Sequence, residues 1–134
     1  MYEPGTFTPP SVIDDSYPVL VSEPVEFDLE YRCFVDGATV KTWSNYIMYD
    51  NIADPRYWNM IPLDEERYPH DIVNDLLYDS KYHDFNFTTV PSVIDVGRIK
   101  GKGWAIIETN PAWASGLYGC DPLAALQVME KSVE

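Results

Sequence analysis

The apolar positions of this chain fall into short β-prone runs broken by Gly and Pro, and into two sets at helical spacing. Val19-Leu20-Val21 is a β-branched run followed by Ser22-Glu23-Pro24-Val25, and Pro24 ends it or confines it to an edge. Glu30–Val35 and Ala38–Ile47 flank Asp36-Gly37, a pair that between two β runs predicts a tight hairpin turn. With that pair as the loop, Val35 faces Ala38, Phe34 faces Thr39, Arg32 faces Lys41 and Glu30 faces Trp43. Ser92–Ile99 and Trp104–Asn110 form a second pair of runs. With Gly101-Lys102 as its loop, Lys100 faces Gly103, Val96 faces Ile107 and Asp95 faces Glu108. A three-residue loop would slip this register and separate the two acids.

Leu63-Asp64-Glu65-Glu66 places acids at the opening of a helical segment whose apolar positions are Ile72, Val73, Leu76 and Leu77. Pro69 lies inside that segment or marks its true start. Asp121-Pro122 caps a second helix running to about Lys131. Residues 48–63 keep no period and read as an irregular packed connection, and Asp79–Thr89 as loop. Four prolines and Gly5 within residues 1–18 make that stretch an extended lead-in. The expected architecture is α+β: an antiparallel sheet of two hairpins and a hinge strand over residues 19–134, with helices packed against one face.

Length and composition narrow the function classes. A chain of 134 residues with 46% hydrophobic and 14% aromatic content is one folded domain. Nine Lys and Arg against 22 Asp and Glu give a net charge of −13, which repels polyanions and excludes a nucleic-acid-binding basic face. A nucleotide stays compatible, since a site needs only a few local cations and a divalent metal. With no long apolar run and no signal segment at its start, the sequence predicts a soluble cytoplasmic protein without membrane contact. Cys33 and Cys120 lack metal or redox spacing and are expected as buried free thiols; His70 and His83 have no partner at ligand spacing.

Candidate chemistry concentrates in the hairpins. Asp95 and Glu108 opposite each other, with Asn110 two residues along on the same face, bring two carboxylates and an amide to one strand end. Mg²⁺ accepts that oxygen set; the alternative is that Asp95 or Glu108 simply points into solvent. Arg32 opposite Lys41 is an unfavourable like-charge pair that a polyphosphate between them would relieve; nearby acids or splaying into water are the alternatives. Ser115 has no nucleophile-elbow context, and Trp113 to Tyr118 form the one aromatic loop suited to lining a substrate pocket.

Taken in order, Val19–Val25, Glu30-Tyr31-Arg32, Asp95-Val96-Gly97-Arg98 and the long run Glu108-Thr109-Asn110-Pro111 through Asp121-Pro122 resemble the C-terminal portion of an ATP-grasp domain of the R-two-K clade. The resemblance implies a hinge at 21–25 stacking adenine, with backbone groups near Glu23 and Val25 bonding its edge. It implies Glu30 at the ribose, Arg32 at the transferred phosphate, and Asp95, Glu108 and Asn110 on Mg²⁺. It also implies a loop shaped by Trp113, Ser115, Gly116 and Tyr118 over a small-molecule or peptide acceptor. Such domains are typically carboxylate-amine ligases that pass through an acyl phosphate, with ATP and Mg²⁺ as cofactors. The front subdomain and its phosphate-binding Lys have no counterpart here. The resemblance therefore implies a second polypeptide or self-association completing the site, or a non-catalytic, degenerate module acting as a protein-interaction domain.

Overall fold

A computed structural model describes residues 23–49, 51–78 and 90–133. Five strands form one antiparallel sheet: β1 (Phe27–Asp36), β2 (Thr39–Met48), β3 (Asn51–Ile52), β4 (Ser92–Ile99) and β5 (Gly103–Pro111), in the order β3-β2-β1-β4-β5. The two α-helices among the described residues are α1 (Pro69–Tyr78) and α2 (Pro122–Ser132). The α+β class and the two hairpins agree with the sequence. The hinge strand at 19–21, the lead-in at 1–18 and the loop at 79–89 lie outside the described residues.

β1 is the central strand, and its residues alternate between two cores. Tyr31, Cys33 and Val35 pack with Ile94, Val96 and the apolar stripe of α1: Ile72, Val73, Leu76 and Leu77. Phe34 packs on the other side with Val93, Ala112, Cys120 and the α2 residues Ala125 and Val128. The helices thus cover opposite faces, not one face as the sequence suggested. Tyr31 to Val35 are consecutively buried, which a strand shows only when both its faces are covered.

Helix starts follow from local chemistry. Pro69 is the first residue of α1, where its missing N–H costs nothing, so the acids at 64–66 precede the helix and do not open it. The Asp121 carboxylate accepts from the Ala124 N–H at 2.8 Å and caps α2, as its sequence predicts. The 48–63 connection is irregular as expected, though it also contains β3 and a 3₁₀ turn at Pro55–Tyr57.

The registers contain the main departures. At its turn β1 pairs Asp36 with Thr39 and Val35 with Val40, but then Phe34 with Thr42, leaving Lys41 as an extra residue in β2. That one residue exchanges the faces of Thr42 to Asn45, until a second extra residue, Tyr46, restores them. Trp43 turns to the α1 side, edge-on to Tyr31 at 5.6 Å, while Ser44 comes opposite Arg32. The expected Val35–Ala38, Phe34–Thr39, Arg32–Lys41 and Glu30–Trp43 pairs are not formed, and the loop residues are Gly37-Ala38 and not Asp36-Gly37. In the second hairpin Ile99 pairs with Gly103, so the loop has three residues, Lys100 to Lys102. Asp95 nevertheless faces Glu108, because Ile107 is an extra residue in β5 and restores the register that the longer loop displaced.

Candidate functional site

α2 covers only part of its sheet face. The remainder presents Glu30 and Arg32 from β1, Ser44 and Tyr46 from β2, Asp95 from β4 and Glu108 from β5, with the 115–119 segment laid across it. Arg32 stands directly opposite Asp95 in the β1–β4 ladder. Its Nε donates to Asp95 Oδ1 at 2.9 Å and its Nη2 to Oδ2 at 2.5 Å, a two-pronged pair with Asp95 1% exposed. Nη1 donates to the Gly116 carbonyl at 3.1 Å. The guanidinium carbon lies 4.5 Å from the Tyr118 ring centre and 5.6 Å from that of Tyr46. The Tyr46 hydroxyl in turn donates to Glu30 Oε2 at 2.6 Å.

Burial pushes the Asp95 carboxyl up; the Arg32 hydrogen bonds pull it back, and the neighbouring Glu108 carboxylate adds to the upward push. Glu108 is half exposed, with Oε1 4.0 Å from Arg32 Nη2. Asp95 commits one lone pair of each oxygen to Arg32 and lies against Glu108, so the two carboxylates bring hard oxygen donors side by side. Asn110 is half-buried opposite Val93, one pleat beyond the Asp95–Glu108 pair. These donors fit a magnesium ion in kind. Among the described residues, no three His, Cys, Asp or Glu side chains converge tightly enough to hold a metal by themselves.

The other sequence candidates are distributed unevenly. Glu23 is exposed and accepts from Lys102 Nζ at 3.0 Å, while Val25 is half-buried outside any strand. Lys41 is exposed and lines a cavity of about 460 Å³ with His70, Asn59 and Gly119, away from the Arg32–Asp95 pair. The like-charge pairing that singled it out does not occur. In the acceptor loop, Gly116 and Tyr118 touch Arg32, Trp113 is exposed, and Ser115 Oγ donates to the Pro111 carbonyl at 3.0 Å. Arg98 faces the opposite side of β4, where Asp28 and Asp64 hold it. Cys33 and Cys120 are free and buried.

Two residues escaped the sequence. Tyr46 links Glu30, Arg32 and Tyr118, and Ser44 beside Arg32 is fully buried with no hydrogen-bond partner for its hydroxyl among the described residues. The run Thr42, Ser44, Tyr46 places a polar atom at every second position, and that was the available signal once the extra Lys41 is allowed for.

No helix among the described residues is long and apolar enough to cross a membrane. Comparison with curated proteins and with solved structures gives no match. A family model, ATP-grasp domain, R-two-K clade family 2, matches residues 3–128. With nearly the whole chain matched, and an α+β fold that agrees with it, the chain belongs to the R-two-K clade of ATP-grasp domains.

Proposed function

We propose that this chain is the Mg·ATP-binding part of an ATP-dependent carboxylate-amine ligase. Membership of the ATP-grasp family supports ATP-dependent ligase-type function at the coarse level, and domains of this family generally bind ATP and Mg²⁺. The finer assignment rests on one observation: Arg32, Asp95 and Glu108 form a charged cluster on a sheet face that α2 leaves open.

In this proposal a substrate carboxylate oxygen attacks the γ-phosphorus of ATP, the bond to the β-phosphate oxygen breaks, and ADP leaves. An amine nitrogen then attacks the acyl carbon, loses a proton and expels inorganic phosphate. Both partners of the first step are anionic, so the site must supply positive charge and alignment, with no protein nucleophile required. Asp95, Glu108 and Asn110 would hold Mg²⁺, which when bound offsets phosphate charge. Arg32, fixed by Asp95, offers its guanidinium to the transferred phosphoryl group. Glu30, oriented by the Tyr46 hydroxyl, accepts from the ribose hydroxyls. Glu23 and Val25 supply backbone groups to the adenine edge, and Trp113 to Tyr118 border the acceptor. The acceptor is a small molecule or a peptide end carrying a carboxylate.

A second proposal, a non-catalytic interaction module, draws on charge balance. Around Arg32 stand Glu30, Asp95 and Glu108, so this face carries more acid than base before any nucleotide arrives. A second polypeptide, or a second copy bringing Lys or Arg, would correct that balance. Calorimetric titration of Mg·ATP, with Glu108→Gln as control, separates the two. Saturable binding lost in the variant supports the ligase assignment; no binding, together with a self-associated or partner-bound species by light scattering, supports the module.

A further inference from the structure

The segment from Ser115 to Cys120 is pinned at its ends and held differently in its middle. At one end Ser115 Oγ donates to the Pro111 carbonyl. At the other, the Gly119 carbonyl accepts from Asn59 Nδ2 at 3.2 Å, and the Trp58 ring sits where a Gly119 Cβ would be, at 2.4 Å. Gly119 has a φ of 90°, so glycine satisfies both the conformation and the close approach. Between these anchors, the hydrogen-bond and ring contacts that the segment makes with other described residues converge on Arg32 and Tyr46: the Gly116 carbonyl on Nη1, the Tyr118 ring on the guanidinium, and Tyr118 against Tyr46 at 5.3 Å.

Arg32 has one edge committed and one edge lent. Nε and Nη2 are locked to the buried Asp95 carboxylate, which stays with the sheet. Among the described residues Nη1 donates to a neutral carbonyl, a weaker acceptor than any anionic oxygen. Tyr118 holds its position with a φ of 45°, a left-handed conformation unfavourable for a bulky residue. A Cβ on Gly116 would come within 3.2 Å of the Tyr118 ring and 3.8 Å of Nη1, so the segment lies close to the cation. The middle of the loop thus occupies a cationic position with the poorest acceptor and a strained neighbour, while its ends are independently fixed.

We infer that Gly116–Tyr118 is a ligand-displaceable latch on Arg32. At rest the Gly116 carbonyl stands in for an anionic oxygen at Nη1, and Tyr118 covers the guanidinium against Tyr46. A phosphoryl oxygen takes the carbonyl's place and frees the middle of the loop, while Tyr46, tied to Glu30, remains as the fixed jaw that keeps Arg32 aimed. The displacing ligand rests on the nucleotide proposal above; the resting contact does not. One residue thereby couples phosphate arrival to loop release beside the acceptor.

Hydrogen exchange of peptides covering 113–120 tests this, with inorganic pyrophosphate and Mg·ATP as probes on wild type, Tyr118→Gly and Tyr118→Phe. Tyr118 is half exposed and Gly relieves its backbone, so the variant folds. Tyr118→Gly should exchange faster in this segment without ligand and bind pyrophosphate about tenfold tighter, because the ring that covers the guanidinium and holds the segment on it is gone. Tyr118→Phe keeps the ring and should match wild type in both respects. In wild type, saturating pyrophosphate should accelerate exchange in the segment. Weaker pyrophosphate binding by Tyr118→Gly would overturn the latch by making Tyr118 a ligand contact. Mg·ATP binding with exchange unchanged or slowed would overturn the latch and leave nucleotide binding standing. Failure of both probes to bind either wild type or Tyr118→Gly would remove the nucleotide proposal and the displacement together.

Discussion

Asp95 and Glu108 are paired in the ladder and share one proposed role, but the structure separates them in what their loss should cost. Asp95 is 1% exposed and holds Arg32 through two hydrogen bonds, whereas the Glu108 side chain is 54% exposed and stands 4.0 Å from the same guanidinium. Removing one partner of a buried pair costs about 3–5 kcal/mol. In Asp95→Asn the amide oxygen still accepts one of the two donors, which brings the estimate to roughly 2–3 kcal/mol. At about 3–5 °C per kcal/mol for a chain of this length, the midpoint should fall by about 6–15 °C. Glu108→Gln should cost under about 0.5 kcal/mol, since an exposed charge at that separation contributes little. Both variants should lose Mg²⁺-dependent nucleotide binding. Thermal melts by circular dichroism, then calorimetric titration with Mg·ATP well below the lower midpoint, separate the two effects. An Asp95→Asn midpoint within about 2 °C of wild type would refute the buried-pair reasoning. A Glu108→Gln protein that binds Mg·ATP like wild type would remove Glu108 from the metal set.

Three further outcomes are expected. Gly97→Ala drives a Cβ to 2.3 Å from Phe27 Cδ1 and 2.9 Å from Ile107 Cδ1 on the site face, and should destabilise the fold by about 1–3 kcal/mol in urea unfolding; no change would mean that Phe27 yields freely. The Arg98 hydrogen bond, outweighing partial burial, holds the Asp28 carboxyl below its usual range, so its stabilisation is present above the unfolded pKa and is lost as pH falls through the folded one. The midpoint difference between wild type and Asp28→Asn should therefore be level above about pH 5 and shrink below about pH 4. Burial raises the Cys33 thiol well above its ordinary value and pushes Cys120 up to about 12, so native protein should react with a disulfide reagent at least ~100-fold more slowly than unfolded chain. Immediate reaction of either thiol would contradict their burial.

The sequence carried the four strands of the two hairpins, the start of α2 and the Asp95–Glu108 opposition, because each depends on local chemistry: glycine in a turn, an aspartate cap followed by proline. The opposition came out right through two departures that cancel, a three-residue loop and the extra Ile107. In the first hairpin the loop is Gly37-Ala38 and not Asp36-Gly37, and Lys41 and Tyr46 are extra residues in β2, so no expected pairing formed and Tyr46 and Ser44 were missed. Period-two patterning carries no mark of an inserted residue when both faces of the strand hold mixed side chains, and Thr39–Met48 is such a strand. The opposite placement of the helices was legible in principle: Tyr31-Arg32-Cys33-Phe34-Val35 is too continuously apolar, Arg32 aside, for a strand with one wet face.

The distribution of extra residues also bears on how this domain can change in length. β2 carries Lys41 and Tyr46 as additions and β5 carries Ile107, yet from Leu29 to Val35 the central strand has none against β4. A codon gained or lost within that stretch of β1 would swap Arg32 with its neighbours, sending the guanidinium towards the α1 core and a core side chain onto the open face. The flanking strands already show that they absorb such changes locally. Insertions and deletions among relatives should therefore collect in the neighbours of β1 and at the 100–102 tip, and a shortened tip grafted between Ile99 and Gly103 should leave the Asp95–Glu108 opposition intact.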